Sequence, residues 1–135
     1  YAITDGNAVI AVEDSILGPA NGITWDQANG RFVFAPWHGV TEFASWVPGA
    51  DGGTLGTAGS IDAAFFDGIE PHADGFLVAT QSDSSIYFMN DQGYERWVRV
   101  AGSPADIAID TRRQRVAVPF ISLDRVDIWS LPSGR

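Results

Sequence analysis

An internal repeat constrains this chain more than any other feature of its sequence. Three segments follow one pattern, in which a short polar opening leads to an apolar run, a turn and a second apolar run. Further runs at residues 41–46, 85–90 and 125–131 alternate apolar and polar side chains, with the period of two that a sheet requires. The three openings lie about 46 and 39 residues apart and read Asn21-Gly22, Asp67-Gly68 and Asp106-Ile107.

A four-stranded unit that repeats about every forty residues is typical of a β-propeller blade. We therefore predict an all-β chain made of about three four-stranded blades, which is half of a six-bladed ring. The predicted units are residues 18–66, 67–102 and 103–135, preceded at 1–17 by the end strands of another blade. The extra length of the first unit falls in the glycine-rich stretch 49–59, which we interpret as an insertion. A β-sandwich or a small barrel is the alternative, although neither needs similarity at a fixed period.

Three blades do not close a ring, because propellers have at least about four. The unit at 103–135 lacks its outer strand, and residues 8–12 form a strand that could fill this place. Two ways to complete the ring stay open at this point. Either a second copy pairs with the first in a homodimer, each donating its N-terminal strand, or the chain is half of a longer polypeptide.

The charge and the composition of the chain exclude several classes of partner and of chemistry. The chain has 17 acidic and 8 basic side chains, a net charge of −9, so we expect neither nucleic acid nor a membrane as a partner. It has no cysteine, which excludes thiol chemistry and Cys-ligated zinc. An acidic surface suits a divalent cation or a neutral small-molecule ligand better.

The blade openings resemble a known group. The runs Gly18-Pro19-Ala20-Asn21-Gly22-Ile23 and Asp67-Gly68-Ile69 are similar to blade starts of the gluconolactonase and senescence-marker-protein-like family, six-bladed propellers of the NHL type. The resemblance implies a divalent metal, Ca²⁺ first, at one mouth of the central channel, and a periplasmic or secreted location. It implies that Asn21 and Asp67 are metal ligands, that Asp67 is also the catalytic general base, and that the reaction is hydrolysis of a sugar lactone or similar cyclic ester.

Each of these residues also has a simpler interpretation. Asn-Gly and Asp-Gly before a strand are common turn formers for conformational reasons alone. Asp106 occupies the third equivalent opening and is predicted to line the same channel, or else to support a local turn. We predict Trp37, His38 and His72 as ligand-binding residues at the rim, while a lone surface histidine is often only solvated. A non-catalytic propeller that serves as a scaffold or binding module is the alternative function.

Overall fold

The computed structural model describes residues 2–131, and within them the chain forms thirteen β-strands and no α-helix. The helical part of this range is the 3-10 turn Ser15–Leu17, and no helix here has the length and apolar character that a membrane span needs. The strands are β1 (Ala2–Thr4), β2 (Asn7–Val9), β3 (Ala20–Asp26), β4 (Arg31–Pro36), β5 (Glu42–Val47), β6 (Thr54–Ser60), β7 (Phe66–His72), β8 (Gly75–Thr80), β9 (Ser85–Asn90), β10 (Gly93–Arg99), β11 (Ala108–Asp110), β12 (Arg115–Pro119) and β13 (Val126–Ser130).

The strands form antiparallel sheets in which neighbours along the chain are neighbours in space. We name them the first sheet (β3 to β6), the middle sheet (β7 to β10) and the third sheet (β11 to β13). The all-β prediction is confirmed, and three consecutive meanders of three or four strands are compatible with a propeller-like fold. The runs predicted at 41–46, 85–90 and 125–131 are β5, β9 and β13 to within one residue at each end.

The sheets pack face to face over two apolar cores. The core between the first and middle sheets includes Val33, Phe43, Val78 and Met89, all with no exposed surface. The core between the middle and third sheets is formed mainly by Leu77, Ala79, Ile86, Val116 and Val118. Both faces of the middle sheet are therefore covered, whereas each end sheet has one covered face.

The interpretation of 49–59 as an insertion is wrong in part, because β6 lies within and beyond it and completes the first sheet as a fourth strand. Gly56 and Gly59 hide this strand in the sequence, since glycine has low strand propensity. Gly59 adopts φ 141°, and a Cβ at this position would lie 2.9 Å from the Met89 sulfur of the next sheet. The glycine thus permits a close approach between sheets.

The N-terminal hairpin forms as predicted, with Asp5 and Gly6 both in left-handed conformation between β1 and β2. Among the described residues β2 pairs only with β1, and the outer edge of β13 has no strand beside it. A strand from 8–12 therefore does not fill that place within one chain. Its pairing with another chain remains a prediction.

Candidate functional site

The openings of the first and middle sheets lie side by side and bond through the two residues predicted as metal ligands. The amide Nδ2 of Asn21 in β3 donates to Asp67 Oδ1 of β7 at 3.2 Å, and to the main-chain oxygen of Phe66 at 3.2 Å. Equivalent positions of two repeats are therefore in direct contact.

The glycines that follow these residues are strand residues and not turn formers. Gly22 and Gly68 lie inside β3 and β7, at irregularities in the strand register, and neither has a positive φ. Each lacks a side chain because the next sheet is too close. A Cβ at Gly22 would overlap the main-chain oxygen of Asp67, and one at Gly68 would lie 2.5 Å from the nitrogen of Ile107. The turn interpretation of these motifs is thus wrong, and the glycines set the spacing at which the site residues meet.

Asp106 is the third member of this series, in the segment just before β11. Its Oδ1 accepts a hydrogen bond from the main-chain N–H of Ile107 at 3.0 Å, which is the local role considered in the sequence. The negative charge of this carboxylate also affects the pKa of Asp67 in the middle sheet. Burial raises the pKa of Asp67 above its ordinary value of 3.8 and the charge of Asp106 raises it further, while hydrogen bonds from Gln81 and Asn21 oppose the shift.

Two residues that the sequence did not single out belong to the same place. Glu70, three positions after Asp67 in β7, has its pKa raised by burial and by the charge of Asp106. Gln81 follows β8 and donates its Nε2 to Asp67 Oδ2 at 2.9 Å. We call Asn21, Asp67, Glu70, Gln81 and Asp106 the polar cluster. Within residues 2–131, the arginine side chains form ion pairs with other carboxylates, namely those of Asp26, Asp83, Asp110 and Asp127.

Three aromatic rings pack on one another near the polar cluster. The ring centroids of Trp37 and His38 lie 5.5 Å apart, those of Trp37 and Phe65 5.3 Å, and those of His38 and Phe65 5.4 Å, all edge to face. We call Trp37, His38 and Phe65 the aromatic triad. Edge-to-face contact of this kind stabilises ring pairs beyond the burial of their surface.

The main chain holds the aromatic triad at the same end of the sheets as the polar cluster. The N–H of Trp37 donates to the oxygen of Pro19 at 2.8 Å, two residues before Asn21. The N–H of Gln81 donates to the oxygen of Phe65 at 3.1 Å, while its side chain bonds Asp67. A ligand at this end of the sheets would therefore meet rings beside carboxylates and amides.

Two residues of the aromatic triad have strained main chains. His38 and Phe65 adopt φ values of 46° and 58°, in the left-handed region that a bulky side chain rarely occupies. Such strain costs on the order of 1–3 kcal/mol per residue and is concentrated at functional sites. The φ of Phe65 has no signature in the sequence, which explains why this residue was missed.

His72 lies apart from the other predicted site residues. It is the last residue of β7, at the opposite end of the strand from Asp67, and its ring is 6.3 Å from that of Phe88. The structure therefore brings together Asn21, Asp67 and Asp106, and places Trp37 and His38 nearby, but it does not bring His72 to them. Gln81 had a signal in the sequence, because it follows the second strand of its unit as Trp37 does.

Within residues 2–131, no group of three or more His, Cys, Asp or Glu side chains has the arrangement needed to hold a metal ion. No protein-family model matches the sequence, and no curated protein matches it. The gluconolactonase resemblance therefore stays a prediction from the blade openings, and the function must be argued from the site itself.

Proposed function

We propose that the chain forms three blades of a β-propeller and binds a small-molecule ligand at the mouth of the central channel. The observation that carries this proposal is the hydrogen bond between Asn21 and Asp67, which occupy the same position in consecutive repeats. Asp106 occupies that position in the third repeat and interacts electrostatically with Asp67. In a propeller, the equivalent starts of successive inner strands converge on the axis, so these side chains would share one channel mouth.

The polar cluster suits a hard divalent cation. Carboxylate and amide oxygens are the ligands that Ca²⁺ and Mg²⁺ take. Burial, together with the charge of Asp106, raises the pKa of Asp67 and of Glu70 and so disfavours their charged forms. Asn21 donates through its nitrogen, which leaves its carbonyl oxygen available as a ligand. Asn21 and Asp67 would hold the ion, and further ligands would come from the blades that complete the ring, because this chain alone offers an incomplete set.

The aromatic triad supports a ring-shaped ligand of low charge, such as a sugar or a sugar lactone. Trp37 and Phe65 offer apolar ring surface next to the acceptors and donors of the polar cluster. Small-molecule sites combine such apolar walls with a few placed polar groups. The mutual edge-to-face packing of the three rings holds this surface in place before a ligand arrives.

Hydrolysis of a bound lactone is a second candidate function, and the fixed orientation of the Asp67 carboxylate favours it. Without a cation, burial raises the pKa of this carboxylate, which makes it a better general base, whereas a cation bound to it would lower that pKa. Asn21 and Gln81 each donate to a different oxygen of this carboxylate and so fix its orientation. A divalent cation in such a site supplies Lewis-acid polarisation of an ester carbonyl.

Thermal unfolding in CaCl₂ and in EDTA tests the cation site. The variant is Asp67→Asn, and the matched control is Asp74→Asn. Asp74 lies in the turn after β7, and its exposed carboxylate accepts a hydrogen bond from the Asn90 side chain. At one hundred times the dissociation constant, calcium should stabilise the wild-type protein and the control by about 2.7 kcal/mol. Asp67→Asn should lose this response. An equal response in both variants, or none in the wild-type protein, would refute the cation site.

Binding and hydrolysis of sugar lactones test the ligand. We expect titration calorimetry to show binding of a gluconolactone in the wild-type protein and a loss of about tenfold or more in Trp37→Leu. Tyr94→Leu is the control, since Tyr94 is an exposed ring on β10, outside the aromatic triad. Binding without hydrolysis across several lactones and divalent metals would leave the binding function alone. No binding would contradict both.

A further inference from the structure

The first and third sheets each have one face that no other sheet of the chain covers, and these two faces suit the same partner. We infer that the outer face of the first sheet docks onto the outer face of the third sheet in a second copy of this chain, and that two such contacts close the assembly. The inference rests on the proposed propeller arrangement and adds the docking surfaces and the direction in which they meet.

The two internal contacts between sheets establish how faces pair. In the middle sheet, one face packs on the first sheet through Phe76, Val78, Tyr87 and Met89. The opposite face packs on the third sheet through Leu77, Ala79, Ile86 and Phe88. A covered sheet therefore has a preceding face, turned to the sheet before it, and a following face, turned to the sheet after it.

The repeat assigns each uncovered face to one of these two kinds. In the third sheet, Val116 and Val118 pack on the middle sheet, so they form a preceding face, and Ala117 between them belongs to the following face. In the first sheet, Val33 and Ala35 pack on the middle sheet and form a following face. Phe32 and Phe34 alternate with them and belong to the preceding face. The chain thus leaves uncovered the preceding face of the first sheet and the following face of the third sheet. Each internal contact likewise joins a following face to a preceding face.

Both uncovered faces carry exposed apolar side chains, although Asp110 and Arg115 share the outer face of the third sheet with Ala108 and Ala117. On the first sheet, Ile23 is 59% exposed and Trp25 37% exposed, although the 3-10 turn Ser15–Leu17 lies near β5. Trp25 contacts Phe32 edge to face at 4.8 Å, and Phe32 stacks on Trp46 at 5.7 Å. Exposed apolar patches of this kind mark interaction sites.

The third sheet has small side chains where the first has rings. Ala108 and Ala117 pair across β11 and β12, and Ala117 pairs with Ile128 of β13. Val126 and Ile128 at the edge are 56% and 59% exposed. Small residues flanked by aliphatic ones leave room for the aromatic row Trp25, Phe32 and Trp46, so bulk on one face meets space on the other.

A second copy is the occupant that these features favour, because one sequence carries both complementary faces. Two copies arranged head to tail about a two-fold axis make two equal contacts and leave no outer face uncovered. They also bring a second set of Asn21, Asp67 and Asp106 to the same channel mouth. The partner copy thus contributes residues to a site that is incomplete in one chain.

The mass of the particle in solution tests the inference. We expect light scattering to give twice the 14.5 kDa chain mass for the wild-type protein. Ile128→Asp places a charge on the outer face of the third sheet and should reduce the mass to that of one chain. Ile121→Asp is the matched control, since Ile121 is 61% exposed in the turn between β12 and β13, outside the two faces. Unchanged secondary structure in both variants shows that they fold.

A mixing experiment tests the direction of docking. Ile23→Lys should also be a monomer, and mixing it with Ile128→Asp should restore the double mass, because the two charges meet in one contact and the other contact is wild-type. A single-chain mass for the wild-type protein at all concentrations, or no recovery on mixing, would overturn the inference. Particles that grow with concentration would contradict closure at two copies. Asp67→Asn should keep the double mass, so failure of the cation site and failure of docking are distinguishable.

Discussion

Adding one methyl group at Gly68 tests whether the spacing between sheets sets the site. In Gly68→Ala the new Cβ would lie 2.5 Å from the nitrogen of Ile107, and 2.9 Å from both Asp106 Oδ1 and Ile107 Cγ1. The nearest atom is main chain, so a side-chain rotation cannot relieve the contact. Gly68→Ala should therefore push the third sheet away from the middle sheet at the position of Asp106.

The magnitude follows from two opposing effects. Overpacking a well-packed contact costs about 1–3 kcal/mol, whereas replacing a strand glycine by alanine contributes about 0.4–1 kcal/mol by reducing the freedom of the unfolded chain. Gly56→Ala isolates the second effect, because a Cβ at Gly56 in β6 has only Ser45 Oγ near it, at 3.5 Å. We expect Gly68→Ala to be less stable than Gly56→Ala by about 1–3 kcal/mol, or roughly 4 °C in Tm per kcal/mol.

Urea unfolding followed by tryptophan fluorescence measures this difference as a shift in the midpoint at constant slope. Gly22→Ala should behave like Gly68→Ala, since its Cβ would overlap the main-chain oxygen of Asp67. Calcium stabilisation should weaken in both, because the polar cluster is displaced. Equal stability of Gly68→Ala and Gly56→Ala would refute the view that a close approach of sheets requires glycine at these openings.

Two carboxylates give opposite pH dependences. Because the pKa of Asp67 is raised in the folded protein, the wild-type protein should lose stability relative to Asp67→Asn as the pH rises from about 3.8 through the raised pKa. Chemical unfolding at several pH values should show this trend. A flat difference would contradict it. Burial raises the pKa of Asp26, but hydrogen bonds from Asn29 and Arg31 outweigh it, and the net pKa is lowered. Asp26→Asn should therefore cost about 1–3 kcal/mol at pH 7, a cost that disappears as the pH falls below 3.8; an unchanged cost in acid would count against this ion pair.

The sequence predicted much of the fold because strands that pack on two sides carry strong local signals. Alternation and hairpin turns located most strands, and β9 was predicted at its observed bounds. The strand β6 escaped because glycines at 56 and 59 replace the side chains that would have shown alternation. The glycine at 59 reflects the nearness of Met89 in another sheet, which no local pattern can reveal.

The sequence predicted only those site residues that occupy equivalent positions in the repeats. Equivalence between repeats brought Asn21, Asp67 and Asp106 to attention, and the structure places them together. Gln81 follows the second strand of its unit as Trp37 does, but its bond to Asp67 depends on side-chain direction. Phe65 depends on a left-handed main chain, for which the sequence has no signature. His72 was selected for its chemistry and its nearness to Asp67 in sequence, but a strand of seven residues separates the two by its full length.

The double coverage of the middle sheet has a consequence for how the chain fluctuates. Opening an end sheet exposes one core, whereas opening the middle sheet exposes both, so the free energy of local opening differs along the chain. The end sheets are then the first to open, and the middle sheet is the last. The polar cluster takes Asn21 from the first sheet, Asp67 from the middle and Asp106 from the third. The polar cluster therefore exists only in molecules whose three sheets are closed at once, and binding of a ligand there would report the cooperative state of the three sheets.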